Sequence, residues 1–315
     1  MARSEPERNR YGQYLLPDPK TGRRRAFTRT TTVAKTLSDT TALERWGKRM
    51  VAKGMAMQPH LVDIVRGEED RDVLDSIAEA ALKAAGAGDA AEAGTNLHTL
   101  TELVDLGQLR LADVPKGQAA DVRAYVFGMQ KAGVEVLQDY VEGLIVNSAI
   151  DVAGTFDRIV RLDGRLLIGD LKTGQDLKYS WGDIAVQLAV YANADAIYDA
   201  EANDYVPMPE VDKDRALVMH VPVGSGSFTL YEIDIRAGWE AALLAKQVRT
   251  HRSRKSWARC LSEFDGLLNE IERAETVDAL HKLWSGNPGR WSAQHTSAAA
   301  ARKALLSTNH ALKAA

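Results

Sequence analysis

Cysteine is almost absent: the 315-residue chain holds one, Cys260. A lone thiol excludes an internal disulfide and any four-cysteine metal or iron–sulfur centre. Cys260 itself is expected to be a partly buried apolar residue rather than a reactive thiol. Long apolar runs are missing too. No stretch approaches the roughly eighteen consecutive apolar residues of a membrane span, and the Arg-rich N-terminus lacks the apolar segment of a signal peptide. The expectation is a soluble, cytoplasmic protein that makes no membrane contact. Nor is there an excess of positive charge. Forty Lys and Arg stand against 43 Asp and Glu, a net charge of −3, which excludes a uniformly basic coat for nucleic acid. Internal repeats of roughly 20–50 residues are also lacking, which excludes a solenoid.

What basic character there is lies in two runs. One is Arg23, Arg24 and Arg25 with Arg29. In the other, Lys246, Arg249, Arg252, Arg254, Lys255 and Arg259 surround His251 and Trp257. A phosphate backbone beside an aromatic platform suits that second composition, and so does an ordinary solvated helix.

Punctuation and periodicity divide the chain into three parts. Residues 1–29 carry Pro6, Gly12, Pro17, Pro19 and Gly22 among charges and read as an irregular basic arm. Residues 30–260 read as the main domain. Helical spacing runs over 32–53, 59–66, 69–86, 89–107 and 116–133, and strand-like alternation follows over 141–148, 152–162 and 165–172. A helix at 182–202, strands at 215–222 and 227–235, and a basic helix at 237–257 complete it. Residues 261–315 read as a small helical C-terminal module with helices at 262–273, 276–284 and 292–308. The order predicts an α/β (α+β) fold with a central mixed β-sheet flanked by helices.

The chemistry concentrates around residues 154–174. Gly154-Thr-Phe-Asp-Arg-Ile159 and Leu167-Ile-Gly-Asp-Leu-Lys-Thr-Gly174 flank Asp163-Gly164, and Asp-Gly between alternating apolar residues is a strong hairpin signal. Pairing Leu162 with Arg165 places Asp157 directly opposite Asp170, β-carbons roughly 4.5–5.5 Å apart. Facing carboxylates need a cation between them, and a hard divalent ion fits oxygen ligands. Alternation puts Lys172 on the same face as Asp170. A solvated hairpin face bearing the same three residues is the plain alternative.

Asp157 followed by Asp170-Leu171-Lys172 resembles the signature of the PD-(D/E)XK nuclease superfamily. Gly169 to Gly174 has the form typical of its RecB-like exonuclease branch, where Asp rather than Glu is usual at position 170. The likeness extends to Gly94-Thr-Asn-Leu-His98 upstream, to Gln187 and Tyr191 downstream, and to the threonine run between Ala26 and Trp46.

The resemblance implies a restriction-endonuclease-like core and a metal-dependent DNA exonuclease. Asp157, Asp170 and Lys172 would be catalytic. His98, Asp157, Asp170 and the Leu171 carbonyl would hold one or two Mg²⁺ or Mn²⁺ ions. Gln187 and Tyr191, spaced i, i+4, would contact DNA or support the ligands. Glu102, one turn after His98, and Glu142 have weaker positional matches as supports of the site. Some relatives hold an iron–sulfur cluster on four cysteines, which this chain cannot do. The size and the lack of helicase motifs resemble phage exonucleases that resect DNA ends for recombination or repair, with a single-strand annealing protein as partner and the bacterial host cytoplasm as location. An endonuclease or resolvase on the same scaffold, or a catalytically silent DNA-binding protein, would look similar. Oligomeric state has no signature in the sequence.

Overall fold

The computed structural model describes residues 7–255, 257–258 and 265–313. Cys260, Arg259 and the expected helix start at 262 lie outside the described residues. The chain divides into two compact units, one ending at Ser253 and one beginning at Arg254.

The first unit opens with β1 (Tyr14–Pro17), β2 (Arg24–Arg29) and α1 (Thr30–Ala34). Helices α2 (Thr41–Met57), α3 (Pro59–Val65), α4 (Arg71–Ala84), α5 (Asp89–Asp105) and α6 (Ala119–Ala132) follow. Next come β3 (Glu135–Asn147), β4 (Val152–Leu162), β5 (Arg165–Lys172), α7 (Trp181–Ala192), β6 (Ala196–Asp199), β7 (Asp204–Pro207), β8 (Arg215–His220), β9 (Thr229–Asp234) and α8 (Arg236–Arg252). The strands form one mixed sheet in the order β7-β6-β3-β4-β5-β8-β9, with β2 joining β4 and β1 pairing β2. β5–β8 and β2–β4 are parallel; the other pairs are antiparallel. This is the central mixed sheet with flanking helices that the residue pattern predicts.

Period-2 alternation in β5 decides how the sheet is covered. Leu167 and Leu171 pack with Leu97 of α5 and Val122 and Tyr125 of α6, while Ile168 packs with Ile184 and Leu188 of α7. Each such side chain taken fully out of water contributes about 1.5–3 kcal/mol. α1, α7 and α8 share a further core of Val33, Val152, Val186, Val190 and Ala242. No helix among the described residues is long and apolar enough to cross a membrane.

Several boundaries differ from expectation. The supposed irregular arm holds the β1–β2 hairpin, because Tyr14, Leu16 and Phe27 have a core to enter. Pro17 falls at the strand end and Pro19 in the turn, where a missing N–H costs little. The helix expected to reach 202 stops at Ala192. The side-chain amide of Asn147 donates to the carbonyls of Val190 (3.1 Å) and Asn193 (2.9 Å), and the following residues pair as β6 with β3. The helix expected over 32–53 is interrupted, and the carboxylate of Asp39 accepts the Thr41 N–H (2.9 Å) where α2 restarts. The basic helix ends at Arg252 rather than 257, which places the unit boundary seven residues before the expected one at 260/261.

The second unit packs α9 (Gly266–Arg273), α10 (Val277–Gly286) and α11 (Ala293–Lys313) around Leu267, Ile271 and Leu280. His295 ties its ends together: Nε2 lies 2.9 Å from Asp265 Oδ2, and Nδ1 accepts the Ser292 N–H at 3.0 Å.

Gly238 sets how closely α8 approaches α7. A β-carbon there would fall 2.2 Å from the Ala185 carbonyl oxygen, a backbone atom that cannot swing away. Gly238→Ala is therefore expected to lower stability by about 1–3 kcal/mol in urea unfolding. Gly47→Ala, in open space within α2, should raise it by about 0.5–1 kcal/mol. Equal midpoints for the two variants would contradict this packing.

Candidate active site

The site begins with a turn. Asp163 (φ 49°) and Gly164 (φ 77°) both adopt the left-handed conformation of a tight hairpin, and Leu162 pairs with Arg165 as the spacing predicts. The ladder then runs to Arg158 opposite Gly169 and stops. Asp157 and Asp170 are the next residues along. They are not a ladder pair as expected, because Asp157 Oδ2 accepts the Leu171 N–H at 2.7 Å. A carboxylate wedged onto a backbone amide takes the place of a strand contact, and the two strands part there.

β3 breaks its ladder on the other side of β4. Between Val136 and Val141 its register slips, so that four residues of β3 face one of β4, a bulge of the kind found beside active sites. Glu142 has φ 53°, and the pairs Val141–Arg158 and Gly143–Phe156 place it across from Asp157.

Asp170 is 1 % exposed, and neither carboxylate oxygen accepts a hydrogen bond of regular geometry. Lys172 Nζ lies 2.5 Å from Asp170 Oδ2 as an ion pair. Burial pushes the Asp170 carboxyl up to about 6; Lys172 opposes that rise and Asp157 adds to it. Lys172 shifts upward because the two carboxylates outweigh the effect of its own burial.

His98 is carried by α5, whose Gly94 lets the helix approach the end of β5: a β-carbon at 94 would sit 2.6 Å from the Thr173 hydroxyl. His98 Nδ1 stands 3.6 Å from Asp157 Oδ2. Burial lowers its pKa, with Asp157 pulling the other way, so at neutral pH the ring is uncharged and has a lone pair to offer. Glu102 lies one helical turn further on and is half-buried. Gln187 Nε2 donates to the Tyr191 hydroxyl at 3.1 Å. Tyr191 is buried, edge-on to Phe156 at 6.4 Å between ring centres, and its pKa is raised by burial. Tyr191 is thus a core residue behind β4, and Gln187 is the more accessible of the two.

A buried network beyond the expected site residues lies under the site. Arg158, 1 % exposed, places Nε 3.1 Å from Asp105 Oδ2. The Tyr125 hydroxyl donates to the same carboxylate at 2.9 Å, and the guanidinium lies 5.3 Å from the Tyr125 ring centre. Burial raises the pKa of Asp105, and Arg158 opposes the shift. One available signal was Arg158 itself, a charge next to the apolar pair Ile159-Val160 in the middle of β4. The other was an aspartate two helical turns after His98.

Among the described residues no three His, Cys, Asp or Glu side chains stand together as a preformed metal cage. The donor set still fits a hard divalent cation. Asp170 offers two buried oxygens that no backbone amide or hydroxyl satisfies, with the Lys172 ammonium as the charge beside them.

Two outcomes follow from these burial patterns. In chelator, the folded-state pKa of Asp170 exceeds its unfolded value, so its contribution to stability is present at low pH and is lost as pH rises from 3.8 to about 6. Urea midpoints of wild type and Asp170→Asn should therefore diverge across that window in favour of the variant, and parallel curves would refute the assignment. Arg158→Met strands the Asp105 carboxylate and should cost about 3–5 kcal/mol. Adding Asp105→Leu should recover part of that loss, and a further drop would show that the two residues do not act as a pair.

The model for the PD-(D/E)XK nuclease superfamily matches residues 42–285. No curated protein matches the chain. The matched range begins in α2, takes in His98, Asp157, Asp170 and Lys172, and ends in α10, beyond the expected domain limit at residue 260. The chain belongs to the PD-(D/E)XK nuclease superfamily.

Proposed function

We propose that the protein is a Mg²⁺- or Mn²⁺-dependent deoxyribonuclease, a RecB-like exonuclease of phage type that resects DNA ends for recombination or repair. The observation that carries this reading is a buried Asp170 carboxylate paired with the Lys172 ammonium, and met by no backbone amide or hydroxyl, at a point where the strands part beside Asp157.

Asp157, Asp170, the Leu171 carbonyl and His98 would hold one or two cations. When bound, such an ion lowers the pKa of a water molecule and offsets charge gathering on phosphate and leaving group. The protein's own groups do the rest. Lys172, on the same strand face as Asp170, is an ammonium poised to orient the attacking water and to neutralise the phosphate oxygens as phosphorus passes through five-coordination. The water oxygen bonds to phosphorus, the phosphorus–ester oxygen bond breaks, and the departing oxygen takes up a proton. Asp157 is held by the Leu171 amide and stays fixed while this happens. Gln187, half-buried on α7 and bonded to the Tyr191 hydroxyl, would make a strand contact. Glu102 and Glu142 flank His98 and Asp157 and would tune their positions. A single-strand annealing protein is the partner that would receive the resected strand.

End-labelled linear duplex DNA should be digested with Mg²⁺ or Mn²⁺ and not in chelator, and closed circular DNA should resist. Asp170→Ala and Lys172→Ala should each lower the rate by about 10²–10³-fold or more. Wild-type activity in Asp170→Ala would end the assignment at this site, and equal cleavage of circles would end the exonuclease part alone.

A further inference from the structure

Arg29, the last residue of the first basic run, meets part of the second run, more than two hundred positions away in sequence. Arg29 and Lys35 from the start of the chain and Arg249 and Arg252 from the end of α8 line one cleft of about 410 Å³. Among the described residues none of these four cations has an ion pair, and no carboxylate lines the cleft. Lys246, from the same basic run, is employed differently, its ammonium donating to the Ala149 carbonyl at 2.6 Å. The rest of the lining is threonine. Thr36 gives its hydroxyl proton to the Thr32 carbonyl (3.0 Å), while Thr31 and Thr32 add further hydroxyls.

Four like charges gathered without a counter-charge repel one another, and a chain of net charge −3 has acidic residues enough to have neutralised them. What the cleft offers is positive charge with hydroxyl donors around a concavity, the recognition chemistry of a phosphate group. Its position relative to the proposed catalytic residues is defined by the sheet. Arg29 pairs with Ala153 of β4, four residues before Asp157, or roughly 13 Å along the strand. At that separation one DNA strand could place a phosphate in the cleft and another, a few nucleotides away, at Asp157.

We propose that this cleft is a second phosphate-binding subsite, which holds the DNA strand away from the scissile bond and determines how firmly the end is engaged. The proposal rests on the nuclease reading and assigns that site's substrate a second anchor.

The test uses the full chain in chelator and a fluorescent duplex carrying either a 5′-phosphate or a 5′-hydroxyl, with Kd measured over a series of salt concentrations. Relative to wild type, Lys35→Gln/Arg249→Gln/Arg252→Gln should bind about 10–100-fold more weakly, with a salt slope shallower by about 1–2. Arg249→Lys/Arg252→Lys should keep most of the affinity. If the loss is equal for both ends, the cleft holds a backbone phosphate. If it is confined to the phosphorylated duplex, it holds a terminal one. Competition by inorganic phosphate in wild type but not in the variant would give the free anion as the ligand. Unchanged Kd and slope would overturn the subsite. Should the triple variant not fold, Lys35→Glu and Arg252→Glu, at exposed side chains, carry the same test. A wild type that digests DNA while the variants bind normally refutes the cleft alone. A wild type with cleft-dependent binding that releases no nucleotide with Mg²⁺ refutes the nuclease reading alone.

Discussion

One hydrogen bond organises the middle of the sheet: the carboxylate of Asp157 on the backbone amide of Leu171. It ends the β4–β5 ladder one step short of the two aspartates and fixes the side chain of the first. It also leaves the second buried, with the Lys172 ammonium as its partner in place of any backbone amide. Antiparallel strands normally close on each other until a turn or an edge intervenes. Here a side chain intervenes, and the gap appears among buried residues of the sheet, where a dry environment strengthens every charge interaction.

That gap carries an energetic cost, and the surroundings show how it is met. Asp170 is forced toward its neutral form by burial, and Lys172 and Asp157 act on it in opposite directions. Beneath it, Arg158 is tied to Asp105 and through it to Tyr125. This buried pair links β4 to the end of α5, the helix that also presents His98. A buried ion pair is a poor source of net stability. What it supplies here is alignment, since α5 cannot shift against β4 without separating a guanidinium from a carboxylate in a medium that penalises both. The Gly94–Thr173 approach pins the other end of the same helix.

Much of this was readable from local sequence. The Asp163-Gly164 turn, the side shared by Asp170 and Lys172, and the i, i+4 pairing of Gln187 with Tyr191 depend on geometry within a few residues, and the structure reproduces each. Other features were hidden. Residues 14–29 have the proline content of a loop and fold as a hairpin because a buried face waits for Tyr14, Leu16 and Phe27. Residues 196–199 continue a helical pattern on paper and become β6 because the edge of β3 offers backbone partners. Arg158 has no partner within its own strand segment, and it is α5 that brings Asp105 to it.

Spacing and turn chemistry along the chain were enough to define the hairpin, the identity of the acidic and basic groups on it, and the general order of helices and strands. Those features follow from backbone geometry, which acts between near neighbours. Long-range packing alone brought His98 beside Asp157, buried Arg158 against Asp105, parted the strands at Leu171, and joined Arg29 and Lys35 to Arg249 and Arg252 in one cleft. Desolvation and charge pairing act through space, and their effects on a side chain depend on which distant segment packs against it.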